Sequence, residues 1–376
     1  MGSGEDFVRR ACLLLCLSLV SGWAWAGEGV SAKQIDAVFA VVQSEKAPGA
    51  AVLVIKDGHP VYERGYGVTN LRTLHEIDGH TNFRLASLTK QFTATAIMLL
   101  VHDGKLRYED HLTDVFPDFP DYGKSITIRN LLNHTSGLLD YEDVMDKQYG
   151  TTPPEQIPQI KDAGVLAILK QQKETKFAPG SKWDYSNSGY AVLAMVGERR
   201  SGKPFGEFLR ERIFTPLKMD TTIAYEKGKN EVSNRAYGHT KTGDAWRETD
   251  QSPTSAVLGD GGIYTSLDDL AKWDRALREH TLLSAQEMQP AWTPVNVQAV
   301  APDGSPTGYG FGWFLDSYKG HKRMWHYGET VGFHTAIQRF PDDQLTVIIL
   351  CNRTDVEPAQ LALRVVDLYL GRANTP

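Results

Sequence analysis

The sequence predicts an α+β fold in which one antiparallel sheet is built from both ends of the chain and a mostly helical segment lies between them. Two β-hairpin patterns, one near each end of the 376 residues, carry this prediction. The third observation is a long middle stretch in which apolar residues recur at helical spacing. With 41% hydrophobic and 23% charged residues, the composition is that of a globular protein with a large core.

The first hairpin lies at residues 50–68. Residues 50–55 are a short, nearly continuous apolar run, Asp57-Gly58 supplies a tight turn, and residues 61–68 are rich in β-formers. An Asp-Gly pair between two such runs is a typical hairpin signal. We therefore expect the first two strands of the sheet here.

The middle of the chain is predicted to be helical. The strongest segment, residues 89–102, is apolar and ends at Asp103-Gly104, and the segment at 266–277 opens on the N-cap-like Ser266. The other segments with helical spacing are residues 126–132, 164–171, 189–200 and 204–213.

The second hairpin comprises residues 335–340, a Pro341-Asp342-Asp343 turn and residues 345–350, followed by a helix over 358–370. We expect a single catalytic domain over 27–376, with an α/β subdomain from about 27–90 plus 300–376 and a helical subdomain from about 91–299. An active site would lie in the cleft between the two.

The N-terminus has the pattern of a secretory signal peptide. Arg9 and Arg10 precede an apolar run at 11–20, and Ala24-Trp25-Ala26 is a small-x-small cleavage site. We expect cleavage after Ala26 and an exported protein, periplasmic or secreted; the alternative is a segment retained as an anchor. Cleavage would remove Cys12 and Cys16 and leave Cys351, which lies in an apolar run and is expected to be a core residue.

The charge pattern excludes some function classes. The net charge is −6, with Lys and Arg scattered along the chain, so no nucleic-acid footprint or polybasic membrane patch is present. We expect a small-molecule partner, no nucleic acid and no stable membrane insertion after cleavage. Oligomeric state stays open.

The first candidate catalytic element is Ser87-Leu88-Thr89-Lys90, which lies at the start of the helix predicted for residues 89–102. Residues i and i+3 share a helix face, so the Ser87 hydroxyl and Lys90 amine can meet. Unpaired N–H groups at a helix start can hold an oxyanion, and burial can lower the pKa of a lysine until it accepts a proton. The alternative is an N-capping serine and a solvated lysine.

Tyr185-Ser186-Asn187 is the second element, in a polar turn just before a predicted helix. A tyrosine beside a cationic lysine can ionise far below its usual pKa of about 10 and act as base or acid. Asn187 can bond a substrate amide. A helix-entry turn with Tyr185 packed on the core is the alternative.

Trp325-His326-Tyr327-Gly328, followed by Glu329, is the third element and is expected to form an edge strand. His326 would present a partly cationic ring to the cleft. The backbone N–H of Glu329 would be an oxyanion donor.

These three elements, in this order, resemble the serine β-lactamase and penicillin-binding-protein superfamily, for which S-x-x-K is a signature. The chain looks most like the class C β-lactamase-related branch, which includes D-alanyl-D-alanine carboxypeptidases, D-aminopeptidases and family VIII carboxylesterases. The resemblance extends from about residue 33 to 370. Further stretches that carry it are residues 131–138, 177–180, 261–266 and 310–313.

The resemblance implies a β-lactamase/transpeptidase-like fold and a serine hydrolase that works through a covalent acyl-enzyme. It assigns Ser87 as nucleophile and Lys90 and Tyr185 as the proton-transfer pair. Substrate contacts would come from Asn187, His326 and Gly328, and the oxyanion hole from the backbone N–H groups of Ser87 and Glu329. No cofactor and no metal are implied.

The substrate class is left open by one departure from the pattern. His326 stands where class C β-lactamases have the lysine of K-T-G, as in peptidase and esterase members of the branch. We therefore expect an esterase or D-peptidase, with a class C-like β-lactamase as the alternative. A penicillin-binding sensor that acylates without turnover is the non-enzymatic alternative. His134 is expected to pack beside the site rather than act as a base.

Two other hydrolase types find no support. An α/β-hydrolase needs a G-x-S-x-G elbow, which the sequence lacks. A zinc hydrolase of the H-E-x-x-H type needs a second histidine four residues after the first, and His75-Glu76 is followed by Asp78-Gly79 instead.

Overall fold

A computed structural model describes residues 29–371 of the chain. The signal peptide predicted for residues 1–26 lies outside the described residues. The strands are β1 (Ala50–Lys56), β2 (His59–Tyr66), β3 (Phe83–Arg84), β4 (Ile223–Ala224), β5 (His239–Thr242), β6 (Ala245–Glu248), β7 (Ile263–Thr265), β8 (Ala299–Val300), β9 (Pro306–Tyr309), β10 (Phe314–Tyr318), β11 (His321–Thr330), β12 (Phe333–Phe340) and β13 (Leu345–Cys351).

Most helices lie between β2 and β8. The α-helices are α1 (Ala32–Val38), α2 (Lys90–His102), α3 (Leu112–Val115), α4 (Ile128–Leu132), α5 (Tyr141–Tyr149), α6 (Asp162–Lys170), α7 (Asn187–Ser201), α8 (Phe205–Leu209), α9 (Leu258–Gly261), α10 (Leu267–Glu279), α11 (Ala285–Met288) and α12 (Pro358–Leu370). A π-helical turn, Arg210–Phe214, extends α8. Among residues 29–371, no helix is long and apolar enough to cross a membrane.

The main sheet has eight antiparallel strands in the order β2-β1-β13-β12-β11-β10-β9-β8. Strand β1 from the N-terminal part pairs with β13 from the C-terminal part, with Ala50 opposite Cys351 and Lys56 opposite Leu345. The predicted α+β fold with one antiparallel sheet built from both ends is therefore confirmed.

Both faces of the sheet are buried, which explains the continuous apolar run in β1. Ala51, Leu53 and Ile55 point to a core shared with the helices of the middle region, while Val52 and Val54 point to a second core under α1 and α12. Because successive side chains of a strand alternate between faces, a strand covered on both sides needs apolar residues at every position.

One local prediction was wrong, and one helix was not predicted. The His326 strand is not an edge, because β10, β9 and β8 extend the sheet beyond β11. Those strands have only two to five residues and little alternation, so their pattern was too short to predict. The helix α5, capped by the Asp140 carboxylate on the Glu142 N–H, was not among the predicted helical segments.

Candidate active site

Ser87 lies at the start of the 3-10 turn Ala86–Thr89, which leads directly into α2. It is half-buried, whereas its neighbours are buried. The backbone of Ala86 has φ +49°, a left-handed conformation that a residue with a Cβ rarely adopts. Such a conformation persists only where the surroundings fix it, and it turns the next side chain out of the core.

The backbone before the turn is held from two sides. The Leu85 N–H donates to the Ile263 carbonyl in β7 (2.9 Å), and the Leu85 carbonyl accepts from the Thr335 hydroxyl in β12 (2.8 Å). The position of Ser87 is therefore fixed by both β7 and the main sheet, which favours a rigid reacting geometry.

Lys90 is fully buried one helical turn after Ser87. Its Nζ donates to Ser87 Oγ (2.9 Å), to Asn187 Oδ1 (2.9 Å) and to the Asp260 carbonyl (3.1 Å). The expected meeting of Ser87 and Lys90 is confirmed by this geometry, and the alternative of a solvated lysine is wrong.

Burial lowers the pKa of Lys90 to about 8, even though the carboxyl groups of Asp260, Glu142 and Asp140 act in the opposite direction. An amine with a pKa near the working pH can both accept and return a proton. A neutral Lys90 can therefore accept the proton of Ser87 across the existing 2.9 Å contact.

Tyr185 lies under the same amine. Lys90 Nζ is 4.8 Å from the centroid of its ring, while the Tyr185 hydroxyl has no hydrogen-bond partner among residues 29–371. Burial raises the pKa of Tyr185 well above its usual range; the nearby Ser87 hydroxyl lowers it only in part. The expected low pKa for Tyr185 is wrong, because burial of the hydroxyl outweighs the effect of the nearby Ser87 hydroxyl. Tyr185 is a neutral phenol that can donate a proton.

Asn187 is the first residue of α7, which is capped by the Ser186 hydroxyl on the Gly189 N–H. Its Oδ1 accepts from Lys90, and its Nδ2 donates to Glu142 Oε2 (3.3 Å). It therefore links the lysine to a carboxyl group and lies at the surface of the cleft.

Ser87, Asn187 and Glu329 meet in a narrow cleft of about 40 Å³. Lys90 and His326 are fully buried, whereas Tyr185 is half-buried and only its hydroxyl is out of contact with solvent. The residues that line the cleft are Arg84, Ala86, Ser87, Tyr141, Glu142, Asn187, Thr254, Asp260, Gly261, Glu329 and Thr330.

His326 differs from its predicted state. The ring is fully buried, its Nδ1 bonds the Tyr327 carbonyl (2.6 Å), and its Nε2 lies 3.1 Å from the Tyr309 hydroxyl. Burial, with the Lys90 charge nearby, lowers the pKa of His326 to about 3. The expectation of a partly cationic ring is therefore wrong, because the ring is neutral; the substrate contact assigned to His326 stays a prediction.

Gly328 lets β11 approach the Ala86–Thr89 turn that carries Ser87. A Cβ at this position would overlap the Leu85 carbonyl and the Thr335 hydroxyl, and would stand 3.0 Å from Ser87 N. Glu329 follows Gly328 at the edge of the cleft. This approach brings the β11 backbone beside that of Ser87; the oxyanion hole assigned to the Ser87 and Glu329 N–H groups stays a prediction.

Two acidic residues in the site were missed at the sequence level. Burial raises the pKa of Glu142 to about 7 and that of Asp260 to about 7. Tyr141 donates to Asp260 Oδ2 (2.9 Å) beside them. Glu142 has no motif of its own, and the cap of α5 by Asp140 was the available signal that this segment is helical and ordered.

His134 holds the Tyr185 segment in place. Its carbonyl accepts from the Asp184 N–H (3.0 Å), and its Nδ1 accepts from the Ser186 N–H (3.1 Å). Nδ1 is the acceptor, so the proton of the neutral ring is on Nε2. Burial, with Lys90 and His326 nearby, lowers the pKa of His134 well below its usual range. It packs beside the site, as expected, and is not a base.

Replacing His134 with alanine is expected to reduce kcat/KM by about 10- to 100-fold, since small misplacements of reacting groups have effects of that size. The alanine removes the acceptor for Ser186 and must adopt the φ of +60° found at this position. Asparagine tolerates that conformation and supplies an acceptor, so His134→Asn is expected to retain more activity than His134→Ala. Steady-state kinetics with a p-nitrophenyl ester measures both; equal losses would contradict the role.

The sequence matches a family profile described as Beta-lactamase over residues 35–370. Among curated proteins, it is 31% identical over 351 residues to penicillin-binding protein 4* of Bacillus subtilis (strain 168), which covers 90% of this chain and 76% of the relative. It is 26% identical over 340 residues to a D-aminopeptidase of Brucella canis, covering 89% of this chain but only 62% of that relative.

The fold is similar to that of solved structures. One is the octameric penicillin-binding protein homologue from Pyrococcus abyssi, with a TM-score of 0.78, 25% sequence identity, and coverage of 91% of this chain and 78% of that chain.

Proposed function

The chain belongs to the beta-lactamase family of serine hydrolases, and from this premise we propose that it hydrolyses small amides and esters through an acyl group carried on Ser87. The observation that carries the proposal is the 2.9 Å contact between Ser87 Oγ and the amine of Lys90, whose pKa burial lowers to about 8. An unperturbed lysine would hold its proton at neutral pH.

In the first half of the reaction, neutral Lys90 accepts the Ser87 proton while Oγ attacks the substrate carbonyl. The N–H groups of Ser87 and Glu329 bind the oxyanion. The bond to the leaving group then breaks, and the proton that Lys90 took from Ser87 passes to that group, either directly or by way of the Tyr185 phenol, which Lys90 reprotonates. In the second half, water gives a proton to the neutral Lys90 and attacks the ester. The bond to Ser87 Oγ then breaks, and Lys90 returns the proton to Oγ as the acid leaves.

Three of the four charged side chains that line the cleft are acidic, which favours substrates that carry an amine over substrates that need a positive charge on the protein. His326 is neutral, so it supplies no charge for a substrate carboxylate. Glu142 lines the cleft with Ser87, and its carboxyl bonds Asn187 through one oxygen. An ammonium group beside the scissile carbonyl would favour the ionised carboxylate and bind to it.

We therefore propose D-amino-acid amides and D-peptides with a free amino end as the preferred substrates, ahead of β-lactams. The similarity to a D-aminopeptidase supports this choice. Simple esters, which carry neither an amine nor a carboxylate that must pair with a charge on the protein, are expected to be turned over as well. The second candidate, suggested by the penicillin-binding relative, is a protein that is acylated without turnover.

One panel tests the proposal. It compares D-alanine p-nitroanilide, its L-enantiomer, p-nitrophenyl acetate and a chromogenic cephalosporin on the purified chain. Faster turnover of the D-amide than of the L-amide and the cephalosporin is expected. Stoichiometric acylation by a penicillin with no turnover of any compound would contradict the proposal and favour a sensor.

Replacing Glu142 with glutamine is expected to lower kcat/KM for D-alanine p-nitroanilide by about 10- to 100-fold, the worth of one hydrogen bond to a charged group. Turnover of p-nitrophenyl acetate, which has no amine, is expected to stay within about twofold. In the unaltered chain, kcat/KM for the amine substrate is expected to rise as pH passes through about 7, because Glu142 must lose its proton to bind the cation.

The matched control for this variant is Asp143→Asn, which removes a carboxylate from the next, exposed position. It is expected to change neither substrate's kinetics. Equal loss for both substrates in Glu142→Gln would show that Glu142 supports the site structurally and would exclude a role in amine recognition.

We also propose export after cleavage behind Ala26, and a division into an α/β subdomain (27–90 plus 300–376) and a helical subdomain (91–299). The signal pattern in residues 9–26 supports the first proposal. The position of the cleft between β11 and the starts of α5 and α7 is consistent with the second. N-terminal sequencing of the exported chain tests the cleavage site.

A further inference from the structure

A second cavity, of about 410 Å³, lies away from the nucleophile cleft. It is bounded by the C-terminal end of α10, by Trp292 and by the ends of β11, β12 and β13. Met324 of β11 lines it, whereas Glu329 of the same strand lines the cleft at Ser87. Five residues of extended strand separate the two, a distance of about 16 Å. The cavity is therefore a separate site.

A buried cation forms part of its lining. Arg339 is 7% exposed, and its Nε donates to Asp274 Oδ1 (2.8 Å), which also accepts from the Thr346 hydroxyl (2.9 Å). The two terminal nitrogens of Arg339 have no acceptor within residues 29–371. A guanidinium carries five N–H donors, and only the Nε donor of Arg339 is used within the protein. This side chain therefore has donors left for a group that enters the cavity.

A second guanidinium lines the same cavity. Arg278, on the last turn of α10, is half-buried and lies 3.4 Å from the exposed carboxylate of Glu279. A solvent-exposed pair of that length contributes little. With Asp274 as the one carboxylate in the lining, Arg278 and Arg339 leave an excess of positive charge.

The remaining wall is apolar and aromatic. Leu277 and Phe340 contribute aliphatic and aromatic surface, and the rings of His280 and Trp292 lie with centroids 5.3 Å apart. Small-molecule sites typically combine an apolar lining with a few polar groups and have volumes of about 300–1,000 Å³.

We propose that this cavity binds a small organic carboxylate with an apolar or aromatic body. The carboxylate pairs with the guanidinium groups of Arg278 and Arg339, since arginine and carboxylate match in charge and fork geometry. The body of the ligand packs against Leu277, Phe340 and the two rings. This site takes an anion, whereas the cleft at Ser87 is suited to a cationic amine.

Isothermal titration of the full chain with phenylacetate, 4-phenylbutyrate and octanoate tests the proposal. Saturable binding of at least one acid is expected, with a Kd of about 1 mM or tighter. The neutral amide of that acid is expected to bind at least about tenfold more weakly, because it has no charge to pair with arginine. Absence of binding by all three acids up to about 20 mM, well above that Kd, would overturn the proposal.

Variants of residues in the cavity and in the cleft at Ser87 show where the acid binds. Arg278→Gln is expected to weaken it by at least about fivefold through loss of a charged hydrogen bond. Arg275→Gln removes the same charge from an exposed position of the same helix and is expected to leave Kd within about twofold. Binding that is weakened by Glu142→Gln or Asn187→Ala, and not by Arg278→Gln, would place the ligand in the nucleophile cleft and overturn the proposal. All of these titrations measure binding and do not depend on turnover.

Discussion

Replacing Ser87 with alanine is expected to lower kcat by about 10⁴-fold or more for every substrate that is turned over, because the covalent intermediate can no longer form. The structure gives the reason for a loss of this size. Ser87 Oγ is the group bonded to the buried amine of Lys90, and it opens on the cleft. No other hydroxyl is bonded to that amine within the described part of the chain.

The protein is expected to fold normally without this hydroxyl. Its one hydrogen bond to Lys90 contributes about 1 kcal/mol to the free energy of unfolding. The matched control is Ser181→Ala, at an exposed turn, which is expected to keep full activity. Retention of more than about a tenth of kcat in Ser87→Ala, a loss far smaller than removal of a nucleophile produces, would contradict the assignment.

Replacing Lys90 with methionine is expected to lower kcat/KM by about 10³-fold, the typical contribution of a general base. Methionine has similar length and suits the buried position, so the loss would report the missing amine rather than a cavity. Lys105→Met, at an exposed position after α2, is the control and is expected to leave the kinetics unchanged.

The pH profile separates Lys90 from other bases. In the unaltered chain, kcat/KM for p-nitrophenyl acetate is expected to rise as pH passes through about 8, because the base is the deprotonated amine. The Lys90→Met variant is expected to lose that inflection. Tyr185 does not replace it, since burial raises the pKa of the phenol well above its usual range. An unchanged inflection in Lys90→Met would assign the base to another group.

The parts of the fold that the sequence predicts are those with long, regular patterns. The two hairpins at β1–β2 and β12–β13 and the helix α2 have distinct turn residues or apolar spacing over many residues. The short strands β8 to β10 do not, because two to five residues contain too few alternations to distinguish a strand from a loop.

The nucleophile and its lysine were predictable because they share one helical turn, so their spacing in sequence fixes their spacing in space. The protonation states of the site residues were not predictable from the sequence. The pKa of His326 and that of Tyr185 depend on which atoms of distant segments face them and on how completely they are buried. Glu142 enters the site only because the first residues of α5 meet the first residues of α7, a contact that no local pattern encodes.

The most direct test of the account is mass spectrometry of the chain after brief incubation with a slowly hydrolysed acyl donor, such as a penicillin. One acyl adduct per chain is expected, mapped by proteolysis to the peptide that contains Ser87 and absent from Ser87→Ala. An adduct on another residue, or hydrolysis that continues in Ser87→Ala, would contradict it.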